Sequence, residues 1–392
     1  MIIFYDNKKT ENDILQKTPK AKLDGAASKE KSGNKLIQGD NLQILKTLLD
    51  DFKLKGKVDL VYIDPPFATN GRFTISENRA NTISKSNYDD LAYSDTLVGP
   101  DFLEFLRERL IFLRELMSEN ASIYLHIDYK IGHYVKIIMD EVFGKNSFRN
   151  DITRIKCNPK NFNRKAYGNI KDLILFYSKS KNPKWNNPST AFTQEDIKKL
   201  FKKMDKDGRL YATIPLHAPG ETSNGKTSQE WKGIKPPKGR HWRSAPEILE
   251  YWDKQGQIEW SKTGVPRKKI YADEREGKKM QDIWNFKDPQ YPKYPTEKSL
   301  DLLKFIIEAS SNEGDLVLDC FCGSGTTLLA AHLLNRNWIG IDQSDQAIKV
   351  AQKKLSQIPA NLFSKVEYEL LKEIKETKKI AAIKKIKETI NI

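Results

Sequence analysis

The chain has 392 residues, 38% of them apolar and 30% charged, with a net charge of +15 and a pI near 9.3. That length buries a core and leaves room for two domains, and the positive excess suits a polyanionic partner, although a lysine-rich composition alone gives the same number. Three cysteines make neither a disulfide framework nor a closed zinc site, and no run reads as a signal or a membrane span, so a cytoplasmic protein is expected.

Residues 1–34 are polar and read as an N-terminal segment, with a loop over 25–33. Residues 35–67 read as strand, helix, strand. The helix carries Leu42, Ile44, Leu45, Leu48 and Leu49, and the second strand is the apolar run 58–63. That run ends in Asp64-Pro65-Pro66-Phe67. Each proline fixes its φ and donates no N–H, so the turn is rigid and presents bare carbonyls. A carboxylate, a fixed carbonyl and an aromatic ring suit a flat ligand with an exocyclic amino group. An ordinary Pro-Pro turn is the competing reading. Residues 68–99 lack periodicity and read as a flap over this turn, with a surface loop of no role as the alternative.

A long helix is predicted from about Pro100, with Phe102, Phe105, Leu106, Leu110, Leu113, Leu116 and Met117 on its buried face. A strand over 122–127 and a helix over 131–142 follow. Such alternation argues for a parallel sheet covered by helices. His126 and Asp128 have a spacing that invites a metal or triad reading. No third ligand or nucleophile follows at a matching spacing, so a core or turn role is expected and no metal site is predicted.

From 157 to 290 the chain becomes rich in Gly, Pro, Asn and Lys, and only Leu173–Tyr177 stands out as a strand. The stretch 231–243 interleaves bases with aromatics: Lys232, Lys235, Lys238, Arg240, Trp242 and Arg243 are its candidates for DNA contact. Cations there would neutralise phosphates, and arginines read guanine edges; a solvated basic loop is the alternative.

The alternating pattern returns in 291–365. An apolar strand, 316–319, runs into Cys320-Phe321-Cys322-Gly323-Ser324-Gly325-Thr326-Thr327, and a helix-like stretch follows. That order opens the backbone to a ligand at a helix N-terminus. Thr326 and Thr327 replace the third glycine of the dinucleotide fingerprint, and Gly-Lys-Ser/Thr is absent, so neither that fingerprint nor a phosphate-binding P-loop fits. The next strand ends in Asp342, placed to accept from ribose hydroxyls, with an ordinary turn aspartate as the alternative. Residues 366–392 space Leu370, Leu371, Ile374, Ile380, Ile383 and Ile386 as a basic helical tail.

With these motifs the chain resembles the β class of S-adenosylmethionine-dependent amino DNA methyltransferases, over roughly residues 35–156 and 280–357. In that family Asp-Pro-Pro-Tyr/Phe forms the target-base site and precedes Asp-x-Phe-x-Gly-x-Gly-Thr-Thr, as Asp64 precedes Asp319 here. The resemblance implies an α/β fold: a doubly wound, mostly parallel, Rossmann-like sheet in permuted motif order. It assigns 35–156 to a catalytic half, 157–290 to an inserted target-recognition region and 291–365 to a cofactor-binding half. It implies S-adenosyl-L-methionine as cofactor, held by Asp40, Thr296, Lys298, Asp319, Phe321, Gly323, Gly325, Thr326 and Asp342. Asp64 and Pro65 would accept from the target amine, on a turn stiffened by Pro66, and Phe67 would stack on the base. The implied substrate is N6 of a flipped-out adenine in double-stranded DNA. N4 of cytosine and an RNA substrate are the alternatives. A cognate restriction endonuclease and a homodimer are the partners the family brings, with no membrane. One geometric consequence follows: strands 58–63 and 316–319 must be neighbours, with Asp64 and Gly323 lining one pocket.

Overall fold

The structure is a computed structural model. It describes residues 2–24, 33–66, 72–76, 79–81, 90–94, 99–159, 163, 165–222, 224–275, 277–290, 297–358 and 366–374. Two compact units make up the chain. The larger comprises 1–188 and 281–392, and the smaller is Ser189–Met280.

A ten-stranded sheet organises the larger unit. Its spatial order is Leu23–Asp24, Glu369–Glu373, Lys35–Gln38, Asn337–Asp342, Leu316–Asp319, Val58–Ile63, Met117–Ile127, Lys171–Ser178, Phe148–Ile155 and Ile283–Trp284. The six strands from Glu369–Glu373 to Met117–Ile127 are mutually parallel. Lys171–Ser178 runs antiparallel to both of its neighbours.

Side-chain alternation along a strand assigns the two faces. Val61, Ile63, Ile123, Leu125 and Ile127 bury into one cluster with Ile44, Leu48, Leu106, Leu110, Leu113 and Ile138 of the helices Asn41–Asp50, Gly99–Leu116 and Gly132–Phe143. Tyr62, Tyr124 and His126 point the other way. There the Tyr124 hydroxyl lies 2.7 Å from Ser310 Oγ, on the helix Leu300–Ser310. Burial on both faces explains why the central strands read as continuous apolar runs.

The expected neighbour relation is present. Val317 sits beside Leu60 and Leu318 beside Val61 in a parallel register. From this pair the chain leaves in opposite directions: Val58–Ile63 leads on to Met117–Ile127, and Leu316–Asp319 to Asn337–Asp342. This is a topological switch point, where open α/β sheets bind ligands beyond the carboxyl ends of the strands.

Three sequence expectations change. The polar segment 1–34 holds a helix, Glu11–Lys17, capped by the Thr10 side chain and seated by buried Ile14. Tyr5 donates to Glu104 at 2.6 Å, and Lys9 pairs with Glu108 at 2.5 Å. The helical reading of 366–392 fails at Glu369–Glu373, a strand beside Lys35–Gln38. There Leu371 is buried and Leu370 is exposed, a period of two; residues 375–392 lie outside the described residues. The inserted unit is also narrower than 157–290. Lys171–Ser178 and Ile283–Trp284 belong to the main sheet, because loop-rich composition marks connections as well as boundaries. In the proposed flap, Arg72–Ser76 pairs with Arg79–Asn81 and Asp90–Ser94; residues 67–71, 77–78, 82–89 and 95–98 lie outside the described residues.

The smaller unit has a four-stranded antiparallel sheet in the order Lys203–Met204, Leu210–Pro215, Pro266–Tyr271, Ile258–Trp260. A hairpin of His217–Pro219 with Arg240–Trp242 adjoins it in sequence. Leu216, Trp231, Trp242, Leu249 and Ile258 form a core cluster. Among the described residues, no helix is long and apolar enough to cross a membrane.

Candidate active site

Five consecutive parallel strands each carry an acid at their carboxyl end or within two residues of it, on the same sheet edge: Asp40, Asp342, Asp319, Asp64 and Asp128. Their partners divide them by role.

Asp64 follows a strand buried except at half-buried Asp59, and its side chain is 16% exposed. Lys298 Nζ lies 2.8 Å from its Oδ2. Its Oδ1 is buried with no hydrogen-bond partner among the described residues. An unsatisfied buried carboxylate oxygen is costly and points to a missing donor. Pro65, buried beside it, adds a carbonyl and no N–H. Phe67 lies outside the described residues.

The glycine turn leaves the neighbouring strand. Gly323 and Gly325 have φ of +48° and +74°, the left-handed region that an L side chain resists. A Cβ on Gly325 would lie 2.8 Å from the Ala351 Cβ. Asp319 is buried and braces the turn from within: Thr327 Oγ1 donates to its Oδ2 at 2.6 Å and the Phe321 N–H to its Oδ1 at 3.0 Å. Burial pushes the Asp319 carboxyl up to about 7, against the pull of those two donors. Asp342 accepts from the Gly323 N–H at 2.9 Å and the Ser344 N–H at 2.8 Å, and burial raises its carboxyl too. Thr326 Oγ1 accepts from Lys354 Nζ at 2.7 Å, and the same ammonium reaches Ser324 Oγ at 2.9 Å and Glu297 Oε1 at 2.6 Å. Asp40 caps the helix Asn41–Asp50 through the Leu42 and Gln43 N–H groups and is 44% exposed.

The structure therefore brings Asp40, Asp64, Lys298, Asp319, Phe321, Gly323, Gly325, Thr326 and Asp342 to one region of the sheet edge. Thr296 lies outside the described residues. Sequence reasoning missed Asn41, Phe105 and Arg109. Asn41 donates to the Cys320 carbonyl at 2.8 Å and accepts from Arg109 Nε at 2.7 Å. Arg109 is buried, its guanidinium 3.5 Å from the centre of the Phe105 ring, and Phe105 in turn meets Phe321 at 6.0 Å. The available signal was spacing: Arg109 follows Phe102 and Phe105 at core positions of the helix.

A polar chain runs beneath the site on the sheet face that carries Tyr62. The Tyr62 hydroxyl meets His126 Nδ1 at 3.0 Å, and His126 Nε2 meets Asp172 Oδ2 at 3.3 Å. Lys156 donates to Asp172 Oδ1 at 2.5 Å. Burial, with the charge of Lys298, pushes the His126 imidazole below its ordinary value. Burial opposes ionisation of Asp172, but its bonds to His126 and Lys156 outweigh that and hold it well below the usual carboxylate range. His126 is a core residue here, and Asp128 caps a turn through the Lys130 N–H at 2.9 Å.

In the smaller unit Lys235, Lys238, Arg240 and Arg243 are exposed. Arg240 lies 3.2 Å from His217 Nδ1. Lys232 pairs with Asp253 and, at 3.5 Å, with Glu250, which offsets its charge. Trp242 is corrected: at 2% exposure, with Nε1 donating to the Gln229 carbonyl, it packs edge-on against Trp231 and is unavailable to a base. This unit carries 20 Lys and Arg against 13 Asp and Glu.

Residues 58–353 match the family model described as DNA methylase. The Type II methyltransferase M.EcaI of Enterobacter cloacae is 41% identical over 363 residues, covering 90% of this chain and 77% of the relative. The probable type III restriction-modification enzyme HindVI Mod subunit of Haemophilus influenzae is 25% identical, over 83% of this chain and 50% of its own length. The chain thus spans about half of that Mod subunit. Among solved structures, the M1.HpyAVI–SAM complex matches with a TM-score of 0.43 and 21% identity, over 82% of this chain and 100% of that one. The chain belongs to the DNA methylase family and is a DNA methyltransferase of the restriction–modification type.

Proposed function

We propose that this chain methylates N6 of an adenine within a specific sequence of double-stranded DNA, using S-adenosyl-L-methionine. The observation that carries the reading is Asp64 at the switch point, with one oxygen held and the other buried and unsatisfied. Asp40, Phe321, Gly323, Gly325 and Asp342 suit the cofactor, because the two left-handed glycines open the turn to close approach at a helix N-terminus. When bound, the cofactor supplies an electrophilic methyl group on a positive sulfur.

An exocyclic amine is a poor nucleophile, because its lone pair is delocalised into the ring. Asp64 Oδ1 and the Pro65 carbonyl accept its two hydrogens and favour a more tetrahedral nitrogen, whose lone pair is then free. Positive charge grows on that nitrogen as its bond to the methyl forms and the methyl–sulfur bond breaks, so both acceptors bind the transition state more tightly than the ground state, and the acidic methylated ammonium then loses one proton to solvent. Alignment of the two reactants by the adjoining turns adds a further large factor. The amine is unreachable inside a duplex, so the base must leave the stack. Aspartate rather than serine at position 64 favours adenine by resemblance to the family. Lys235, Lys238, Arg240 and Arg243 supply phosphate and base-edge contacts from the smaller unit. A restriction endonuclease reading the same sequence is the expected partner.

The test is transfer of labelled methyl groups from the cofactor to DNA and RNA pools by the wild type and by Asp64→Ala. N6-methyladenine in DNA, lost in the variant while cofactor binding persists, is the expected result. N4-methylcytosine, or label in RNA alone, would overturn the substrate assignment.

A further inference from the structure

Resemblance to the family gives Lys298 to the cofactor. Its position in the fold ties it to the other half of the site. Lys298 is 8% exposed, and its ammonium lies 2.8 Å from Oδ2 of Asp64. The second oxygen of the same carboxylate is buried and has no partner among the described residues. The terminal torsion of an aspartate is broad and nearly two-fold, so a free carboxylate presents its oxygens interchangeably. A charged hydrogen bond to one oxygen removes that freedom and aims the other.

The neighbouring residue anchors this lysine from the opposite half of the site. Glu297 accepts from Lys354 at 2.6 Å, and Lys354 also donates to Ser324 and Thr326 of the glycine turn. Two consecutive residues therefore bind the two halves: Glu297 reaches the cofactor turn through Lys354, and Lys298 reaches the catalytic turn directly. The charge of Lys298 is also felt by His126, bonded to Tyr62 two residues before Asp64, which places the ammonium within the same buried neighbourhood.

We propose that Lys298 is the positioning residue of the catalytic carboxylate: it holds Oδ2 of Asp64 and thereby presents Oδ1 as the acceptor for an amino hydrogen of the target base. The inference rests on the methyl-transfer reading above. It differs from a cofactor-contact role in what it makes rate-dependent. A lysine that only binds cofactor sets affinity, and saturation with cofactor erases its loss. A lysine that aims Asp64 sets the transfer step, and saturation does not restore it.

The experiment uses the full chain with Lys298→Met and Lys298→Gln. Calorimetry gives cofactor affinity, and single-turnover transfer to DNA at saturating cofactor gives the rate. Lys298→Met should slow transfer by about 10- to 100-fold at saturation, the scale of a misaligned reactive group. Lys298→Gln retains an N–H for Oδ2 and should recover part of the rate, which a merely structural role would not produce. Should the methionine variant fail to fold, the glutamine variant still has to lose rate at saturation. Saturated rates within about threefold of wild type in the folded variants, with or without weaker cofactor binding, would overturn the assignment. Absence of transfer by the wild type would instead refute the methyl-transfer reading and this inference with it.

Discussion

Asp319, beneath the glycine turn, makes the stability of the fold depend on pH. Its side chain is 2% exposed, and burial pushes the carboxyl to about 7, with further upward pressure from Asp64 and Asp342. In an unfolded chain an aspartate titrates near 3.9. The folded state thus holds the proton more tightly. Below about pH 4 both states are protonated and no penalty exists; as pH rises toward 7 only the unfolded chain releases the proton, and stability falls. Above 7 the loss is complete and constant. Asp319→Asn keeps a carbonyl oxygen for the Phe321 N–H and removes the titration. Integrating the linkage relation between pH 5 and 8, the wild type should lose about 2.5 kcal/mol relative to Asp319→Asn. Equilibrium urea unfolding of both proteins at pH 5, 6, 7 and 8 measures this difference. Curves that run parallel within about 0.5 kcal/mol, or converge in the opposite sense, would refute the reasoning.

Three other outcomes are expected. Gly325→Ala combines a left-handed φ with a Cβ 2.8 Å from Ala351, so it should destabilise by about 1–3 kcal/mol and weaken cofactor binding at least about tenfold; unchanged calorimetric affinity would contradict the turn's role. His126→Ala strips Tyr62 and Asp172 of a buried partner and should lower unfolding free energy by about 2–4 kcal/mol, and a change under about 1 kcal/mol would contradict the buried chain. Replacing Lys235, Lys238, Arg240 and Arg243 together by alanine should weaken DNA binding and flatten its salt dependence by about one unit of slope per lost phosphate contact, with cofactor affinity intact. An unchanged salt slope would remove the smaller unit from the DNA interface.

Much of the candidate site is legible in sequence because it is local. Val58–Ile63 and Leu316–Asp319 are mostly buried, so each appears as a short, mainly apolar run, interrupted in the first by half-buried Asp59, and each leads into one of the two candidate turns. Motif order then requires the two strands to be adjacent, as they are. What escapes sequence reading depends on distant partners. His126 meets Tyr62 and Asp172 only through strand pairing, and Lys298 meets Asp64 across 234 positions of chain. Arg109 reads as a charge on a helix until Asn41 and Phe105 surround it. Trp242 misleads for the opposite reason. Its basic neighbours suggest a ligand-facing aromatic, but the smaller unit has few apolar side chains and uses its large rings as core. Glu369–Glu373 is too short for its burial period to separate a strand from a helix.

The most direct test of the central claim is single-molecule sequencing of DNA from a methylation-free host expressing the full chain or Asp64→Ala. N6-methyladenine in one sequence context with the wild type, and none with a variant that still binds S-adenosylmethionine, is the result expected. Modification that persists in Asp64→Ala would contradict the assignment of Asp64 and the cofactor turn to one methyl-transfer site.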